Sequence, residues 1–431
     1  MSSANSNEDL KVVEICAGAG GQSLGLERAG FRHELAVELD GHAVATLKRN
    51  QPDWEVRQGD VADAGVWDPE EYKGVDLFAG GVPCPPFSIA GKQMGATDER
   101  DLFAWAIEAC GRMQPRALLL ENVRGLSANR FSAYRQHVLD QLHEYGYVGE
   151  WKLLHASDFG VPQLRPRFVL VAMAKEHAEY FTWPETLGTP KPTVGETLLD
   201  LMQARGWEGA EDWAKRADSI APTIVGGSKR HGGADLGPTR AKRAWAELGV
   251  DALGVADAAP GPGWEPGPGV PGPKLTTEMV ARIQGWKGGF SEWQFEGRKT
   301  AVYRQIGNAF PPPVAEAVGR SIARALRKEG PRHELIESTS TVHDPVYKVL
   351  RGATRPLAAD QIIAKLAKAG ISMDVPEVER HLSHLGRDFE VQTIQRSSGA
   401  YAYTLGEFKA FTGQEDHQRH DFFVHQRAKI S

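Results

Sequence analysis

The clearest chemical candidate in this 431-residue sequence is a cysteine held between prolines. Cys84 lies in the segment GGVPCPPFS, residues 80–88, directly after the apolar run VDLFAG. The flanking prolines restrict the backbone φ angle, so the loop holds the thiol in a rigid position. Free cysteine is commonly a buried and inert packing residue, as Cys16 and Cys110 are predicted to be, but packing requires no such rigidity. The pattern therefore indicates a nucleophilic thiol at the edge of a sheet.

A carboxyl group follows the next apolar run. Glu121 and Asn122 come directly after ALLL, residues 117–120. Because parallel strands end at the same edge of a sheet, we expect Glu121 to lie on the same edge as Cys84. A nucleophile with a nearby acid/base group is an arrangement typical of covalent catalysis. A helix-capping role for Asn122 is the alternative.

Two arginines lead into a further strand. The segment VPQLRPRFVLV carries Gln163, Arg165 and Arg167 just before its apolar run. Arginines entering a sheet edge are suited to binding carboxylate, phosphate or nucleic-acid bases. The alternative is that they are ordinary solvated side chains at that edge.

The first strand ends in a glycine loop, EICAGAGG, residues 14–21. Its spacing is not the GxGxxG of dinucleotide-binding proteins. Glu38 follows Gly18 by 20 residues, as a ribose-binding acid would. Together they favour a cofactor that contains adenosine and lacks a pyrophosphate. A tight turn followed by a solvated acid is the alternative.

The same region also contains a hydrolase-like pattern, GxSxG, at residues 21–25. A nucleophilic serine of this kind must sit on the sharp turn directly after its strand. Here the glycine loop intervenes, so Ser23 is predicted to lie at the start of a helix. An α/β-hydrolase that uses Ser23 remains a competing function.

Short β-rich runs alternate with helical segments from residue 11 to about residue 174. This order predicts an α/β fold with a mostly parallel sheet. The periodicity fades between about residues 175 and 273, and the Gly/Pro-rich stretch 258–273 is typical of a loop. The following segments, 275–286 and 307–326, are predicted to contain helices. The strand predictions are KVVEIC, HELAVEL, VDLFAG, ALLLENV and FVLVAM.

Residues 345–408 carry a different pattern. Three short amphipathic segments precede two alternating runs around Ser398 and Gly399, which are typical of a β-hairpin. Three helices followed by a hairpin predict a winged-helix-like C-terminal domain. His381 and His384 are three residues apart in the third helix and, without further ligands nearby, are interpreted as surface residues rather than a metal site.

Composition narrows the class of protein. Hydrophobic residues make up 41% and charged residues 25%, as in an ordinary globular chain. No apolar run reaches 18 residues and the N-terminus is polar, which predicts a cytoplasmic protein with no membrane span. The three cysteines cannot form a disulfide framework. The net charge of -6 gives no global basic field, so a nucleic-acid partner requires a local basic patch.

The ordered motifs resemble those of the C5-cytosine DNA methyltransferases, in particular the bacterial modification type. The resemblance covers about residues 10–325. It rests on the following motifs, in the family's order: EICAGAGG, VELD, GDV, VPCPPFS, RDLF, ENV, QLRPR, KLTTEMVARIQGW and YRQIGNAFPPP.

This resemblance implies a Rossmann-like methyltransferase sheet, S-adenosyl-L-methionine as methyl donor, and a covalent mechanism. Cys84 would add to C6 of cytosine, and Glu121 would stabilise the adduct at N3 as a proton-sharing carboxyl. Arg167, with Arg165 as its partner, would orient Glu121 and contact the cytosine O2. The cofactor residues implied are Ala17, Gly18, Gly20, Glu38, Asp60, Leu102 and Asn308. No metal ligand is implied.

The family's order also implies the domains and the partner. Residues 10–175 would form the first part of the catalytic domain, 176–273 a target-recognition insert, and 274–330 the returning part. The substrate would be a cytosine flipped out of duplex DNA. Within the insert, Lys229, Arg230 and His231 lie on a glycine-flanked loop suited to DNA contact, unless they are ordinary surface charges.

The expected function is DNA cytosine-5 methylation, with a restriction endonuclease of the same site as a possible companion. RNA methylation and a catalytically idle DNA-binding regulator are the further alternatives.

Overall fold

The computed structural model describes residues 9–83, 100–188, 190–227, 234–334, 344–397 and 399–409. The described chain divides into two compact units. The first comprises residues up to Val82, Met113–Val123 and Trp151–Arg332. The second comprises Pro83–Arg112, Arg124–Glu150 and the chain from His333 onward.

A seven-stranded sheet forms the centre of the fold, in the order β3-β2-β1-β4-β5-β7-β6. Strands β1 to β5 pair in parallel, and β7 pairs antiparallel to β5. The strands are β1 (Leu10–Ile15), β2 (Phe31–Glu38), β3 (Val56–Gln58), β4 (Leu77–Gly80), β5 (Ala117–Val123), β6 (Tyr147–His155) and β7 (Pro166–Ala174). The predicted α/β class is confirmed.

In the described chain, helices α1 to α11 lie between residues 21 and 326. They are α1 (Gly21–Arg28), α2 (Gly41–Asn50), α3 (Arg100–Met113), α4 (Ser132–Glu144), α5 (Lys175–Ala178), α6 (Val194–Gln203), α7 (Ala210–Arg216), α8 (Thr239–Glu247), α9 (Thr277–Gln284), α10 (Lys299–Asn308) and α11 (Pro312–Leu326). Short 3₁₀ turns occur at Pro69–Tyr72, Arg124–Ser127, Asn129–Phe131, Ala156–Phe159 and Gly289–Ser291. None of the helices in the described ranges is both long and apolar enough to cross a bilayer.

Helices α1 and α11 pack closely, which ties the start of the chain to its returning segment. A Cβ on Gly25 would stand only 2.5 Å from the Cβ of Ala315 and 2.6 Å from the Pro312 carbonyl oxygen. Only glycine permits this approach. The contact explains why residues nearly 300 positions apart in sequence belong to one unit.

The segment 194–275 contributes to a hydrophobic core of its own unit, although its sequence periodicity is weak. Trp213 and Trp245 are buried there, and the same cluster includes Met279 and Trp286 of the returning part. The sequence predicted an irregular insert, whereas the structure contains α6, α7 and α8 in it. In α6 the buried residues Val194, Leu198 and Met202 recur at helical spacing, whereas α7 and α8 are only 7 and 9 residues long and each gives a weaker signal.

The second unit contains the three helices and the hairpin predicted near the C-terminus. They are α12 (Pro345–Arg351), β8 (Leu357–Ala358), α13 (Ala359–Lys368), α14 (Val375–Asp388), β9 (Phe389–Gln395) and β10 (Tyr401–Phe408). The strands form a small sheet in the order β8-β10-β9. Val378 and Leu385 are fully buried, as predicted. The winged-helix assignment stays a prediction.

Within the second unit, α4 shares an aromatic cluster with the C-terminal segment. The ring of His137 lies 5.3 Å from Phe389 and 4.5 Å from Phe408, and Tyr134 lies 5.6 Å from Phe408. His137 Nδ1 is also 3.1 Å from the Tyr347 hydroxyl. The helix that follows β5 is therefore packed against residues more than 200 positions further along the chain.

Candidate active site

The centre of the candidate site is a buried ion pair between Glu121 and Arg167. Glu121 lies on β5 and Arg167 on the antiparallel strand β7, in register with Val123. The two residues are thus diagonal neighbours on one face of the sheet, within reach of long side chains. Arg167 Nε is 2.6 Å from Glu121 Oε1, and the two side chains are only 8% and 10% exposed. The structure therefore contains a direct contact between the Glu121 carboxyl and the Arg167 guanidinium.

Burial controls the protonation of this pair. Removal from water raises the pKa of Glu121, and the positive charges of Arg167 and Arg165 oppose that shift. Burial likewise lowers the pKa of Arg167, although a guanidinium stays protonated in proteins. A carboxyl with a raised pKa can share a proton with a ring nitrogen, as the predicted role of Glu121 requires.

Arg165 acts as a clamp on the backbone. Its Nη1 donates to the Ile224 carbonyl oxygen at 2.7 Å, and its Nη2 donates to those of Gly307 and Ala309 at 2.7 and 2.8 Å. The residue is 1% exposed. Arg165 therefore joins the start of β7 to two distant segments, at residue 224 and at residues 307–309, which makes it a positioning residue rather than a base-contacting one in this arrangement.

A buried amide chain supports the same junction. Gln163 Oε1 accepts from the Ile224 backbone N–H at 2.8 Å, and Gln163 Nε2 donates to Gln284 Oε1 at 2.6 Å. Gln284 Nε2 donates in turn to the Ala309 carbonyl oxygen at 3.0 Å. Both glutamines are fully buried. Because each of these amides finds a partner, the network holds the segments in one arrangement.

Asn122 holds the backbone just upstream of the predicted nucleophile. Its Nδ2 donates to the Val82 carbonyl oxygen at 3.2 Å, and its Oδ1 accepts from the Val123 N–H at 2.7 Å. Val82 is two residues before Cys84, which lies outside the described residues. The nucleophile assignment stays a prediction, while the strand end that precedes it is fixed to β5 beside Glu121.

The glycine loop after β1 is held from two sides. Glu38 Oε2 accepts from the Gly18 N–H at 2.8 Å, and its Oε1 accepts from the Asp40 N–H at 2.7 Å. Trp293 Nε1 donates to the Ala19 carbonyl oxygen at 2.8 Å. Burial raises the pKa of Glu38, and the backbone N–H donors oppose that shift. The carboxylate thus fixes the loop and keeps lone pairs for a ligand.

The shape of this loop fits a bound cofactor. Gly18 has φ +55°, and no atom lies within 4 Å of the position that its Cβ would occupy. Gly20, at φ +88°, is instead packed against Trp293, whose ring would stand 2.5 Å from a Cβ there. The loop is therefore packed against Trp293 at Gly20 and has free space next to Gly18. Ala17 is buried at its base.

Two further predicted cofactor residues lie at strand and helix ends of the same unit. Asp60 follows β3, and its Oδ1 accepts from the Ala62 N–H at 3.0 Å. Asn308 ends α10, and its Nδ2 donates to the Gly227 carbonyl oxygen at 3.3 Å. The residues that follow Asn308 reach the glycine loop, since a Cβ on Gly21 would lie 2.5 Å from the Phe310 carbonyl oxygen.

Leu102, the remaining predicted cofactor residue, is 4% exposed in α3 of the second unit. Its cofactor role stays a prediction.

Ser23 is confirmed as a helix residue. It is the third residue of α1, is fully buried, and has no hydrogen-bond partner for its hydroxyl within the described chain. A nucleophilic serine must reach substrate, so the geometry of Ser23 argues against the hydrolase alternative.

The other two cysteines differ from each other. Cys110 is fully buried in α3, and burial raises its pKa to about 12, as expected of an inert thiol. Cys16 was predicted to be a buried cysteine of the same kind. That prediction is wrong, because Cys16 is partly exposed at the end of β1 with a left-handed φ of +50°.

The predicted DNA-contacting residues Lys229, Arg230 and His231 lie outside the described residues, but both flanks of their loop are anchored. The hydroxyl of Tyr303 is within hydrogen-bonding distance of the Val225 carbonyl oxygen, at 3.1 Å, and of that of Asp235. Gly227 is bound by Asn308, as described above. The described residues on both sides of this loop therefore contact α10. The residues that follow α10 pack against Gly21 of the glycine loop.

Two residues of the site were not found from the sequence. Gln284 was seen only as part of a helical pattern, and its amide role depends on contacts with residues over 100 positions away. Gln22 follows the glycine loop and is 3% exposed with an amide that has no partner among the described residues. A polar residue at a position predicted to be helical and buried is the signal that could have identified Gln22.

Comparisons with known proteins agree with this geometry. A sequence profile described as C-5 cytosine-specific DNA methylase matches residues 10–324. The chain is 64% identical over 424 residues to the Type II methyltransferase M.NaeI of Lentzea aerocolonigenes, covering 98% of this chain and 100% of that protein. It is 50% identical over 320 residues to the Type II methyltransferase M.NgoMIV of Neisseria gonorrhoeae, covering 74% and 98%.

The fold is likewise similar to that of a solved methyltransferase. A DNMT2 variant from Spodoptera frugiperda superposes with a TM-score of 0.51 at 17% identity, covering 73% of this chain and 99% of that one. This likeness concerns the fold alone. The profile match and the high identity to two relatives show that this chain belongs to the C-5 cytosine-specific DNA methylase family.

Proposed function

We propose that this enzyme transfers a methyl group from S-adenosyl-L-methionine to C5 of a cytosine that is flipped out of a specific site in duplex DNA. The observation that carries the proposal is the buried Glu121–Arg167 pair beside the strand end that leads to Cys84. Cytosine C5 is a weak nucleophile, so the reaction needs an added nucleophile at C6 and a proton at N3. The predicted residues supply both.

Each residue has a defined task in this mechanism. The Cys84 thiolate adds to C6 while Glu121 gives or shares a proton at N3, which makes C5 electron-rich. Loss of the C5 proton and expulsion of the thiolate then restore the ring after methylation. Arg167 keeps the carboxyl of Glu121 in one orientation, and Arg165 holds the surrounding segments. S-adenosyl-L-methionine would supply the methyl group as a sulfonium.

The residues around the glycine loop would hold this cofactor. The open space above Gly18 and the carboxylate of Glu38 fit an adenosine-containing ligand. Glu38 would accept from the ribose hydroxyls, Asp60 from the adenine amino group, and Asn308 would close the pocket from the returning part of the chain. Ala17, Gly20 and Leu102 would line it.

We further propose that the loop with Lys229, Arg230 and His231 contacts DNA, and that the enzyme protects its site against a companion restriction endonuclease. Anchoring of both loop flanks on α10 supports the first point. The names of the two relatives, both Type II methyltransferases, support the second.

Bisulfite sequencing of DNA from a host without cytosine methylation tests the proposal. Cells that express the wild-type chain should carry 5-methylcytosine at one short sequence, and cells that express Cys84→Ala should carry none. Cys110→Ala is the matched control, since it removes a buried thiol elsewhere and should keep the modification. Methylation of cellular RNA but not DNA would instead support the RNA alternative, and modification by the Cys84→Ala chain would contradict the mechanism.

A further inference from the structure

The unpartnered amide of Gln22 lies at a point where a ligand is expected. Gln22 is the second residue of α1, directly after the glycine loop, and is 3% exposed. Neither its Oε1 nor its Nε2 has a hydrogen-bond partner within the described parts of the chain. Burying an amide without a partner is unfavourable, and an apolar side chain of the same size would avoid that cost. The amide is therefore best explained by something that binds beside it.

Three oxygen atoms from separate segments surround one point next to Gly81. A Cβ built on Gly81 would lie 3.6 Å from Glu121 Oε2, 3.7 Å from the Cys16 carbonyl oxygen and 4.0 Å from Gln22 Oε1. These are ordinary van der Waals distances, so an additional atom fits beside Gly81 without a clash, and its nearest neighbours are oxygen atoms.

Oxygen atoms that face a common point suit a positive charge that carries no hydrogen-bond donors of its own. A sulfonium with its polarised C–H groups is such a charge, since C–H groups next to a cation make weak hydrogen bonds to oxygen. Glu121 adds a carboxylate at the same point, and the carbonyl dipoles of Cys16 and Gln22 point their negative ends toward it.

We propose that Gln22, together with the Cys16 carbonyl and Glu121, selects the charged methyl donor over its neutral product. This inference rests on the proposed use of S-adenosyl-L-methionine. The donor is a sulfonium cation, whereas the product S-adenosyl-L-homocysteine is a neutral thioether of nearly the same shape. Oxygen atoms at this point stabilise the first and not the second. Gln22 is thus a specificity-determining residue that favours donor binding and product release.

Calorimetric titration of the purified full-length chain with each compound tests this proposal. Gln22→Met keeps the length of the side chain and removes its oxygen. Affinity for S-adenosyl-L-methionine should fall about threefold to fivefold, the range expected for one weak hydrogen bond, and affinity for S-adenosyl-L-homocysteine should stay unchanged. Ser23→Ala is the matched control, because it removes a neighbouring buried and unpartnered polar atom and should leave both affinities unchanged.

The outcomes separate this inference from the proposed function. If the wild-type chain binds neither compound, both are overturned. If it binds both and Gln22→Met weakens them equally, or leaves both unchanged, only the role of Gln22 is overturned. Thermal melting without ligand shows whether a variant is folded, and Gln22→Leu serves as the second variant if Gln22→Met is not.

Discussion

Arg165 offers the sharpest test of how the active site is held together. Its guanidinium donates three hydrogen bonds to the backbone carbonyls of Ile224, Gly307 and Ala309, and the side chain is 1% exposed. Arg165→Met fills much of the same volume and removes all three donors. The Ile224 and Gly307 carbonyl oxygens then lose this donor, and that of Ala309 keeps its bond from the Gln284 amide.

The size of the effect follows from these contacts. A hydrogen bond from a charged donor contributes roughly 1.5 to 3 kcal/mol, so three bonds would contribute about 5 to 9 kcal/mol. Removing a fully buried charge returns part of that, since burial disfavours the charged guanidinium and lowers its pKa. The net loss in unfolding free energy should be about 3 to 5 kcal/mol. In thermal melting, this corresponds to a decrease of at least about 5 °C.

Circular dichroism melting of the wild-type and variant chains measures this loss. Arg320→Met is the matched control, since Arg320 has a 62% exposed side chain and pairs with Glu316 on its own helix. Such exposed pairs contribute little, so the control should melt within about 2 °C of wild type. Equal melting temperatures for Arg165→Met and Arg320→Met would refute the clamp. Arg165→Met should also lose methyl transfer, because Ala309 and Phe310 pack against Gly21 at the end of the glycine loop.

Three further outcomes follow from the structure. Glu121→Gln should lower methyl transfer by roughly 10²-fold or more, measured with a radioactive methyl donor, because the proton at N3 is no longer supplied. Burial lowers the pKa of His137 from 6.5 to about 3. Between these two pH values, His137 is protonated in the unfolded chain and neutral in the folded chain. The stability that neutral His137 allows is present above pH 6.5 and should fall by about 2 kcal/mol between pH 7 and pH 5 in urea titrations, a dependence that His137→Phe should reduce. A chain that ends at residue 334 should melt earlier than the full chain, because Tyr134 and His137 lose their contact with Phe408; an unchanged melting curve would contradict this.

The parts of the fold that follow local pattern were predictable from sequence. Apolar runs such as VDLFAG and ALLLENV gave β4 and β5 directly, and the glycine loop marked the end of β1. Strand β3 is only three residues long, and β6 alternates buried and exposed positions too irregularly to be recognised. Both lie at the sheet edges, where half the surface contacts solvent and the hydrophobic signal is weak.

The residues of the candidate site likewise divide into those that the sequence predicted and those that it did not. Glu121 and Arg167 were predicted because each adjoins an apolar strand, and the antiparallel register of β5 and β7 then brings them together. The bonds of Arg165 could not be predicted, since its partners are backbone carbonyls up to 144 residues away. Because every residue has a backbone carbonyl, the residue types in the sequence do not show which carbonyls accept these hydrogen bonds. The amide chain through Gln284 was hidden for the same reason.

The central claim, covalent catalysis by Cys84 with Glu121 as the acid/base group, is tested most directly by trapping the covalent adduct. A duplex that carries 5-fluorocytosine at the mapped site cannot lose its C5 substituent as a proton, so the adduct persists once methyl transfer has occurred. The wild-type chain with S-adenosyl-L-methionine should form a denaturation-resistant complex, and peptide mass spectrometry should place the linkage on Cys84. Absence of that complex from an enzyme that methylates the unsubstituted duplex, or its formation by Cys84→Ala, would contradict the mechanism.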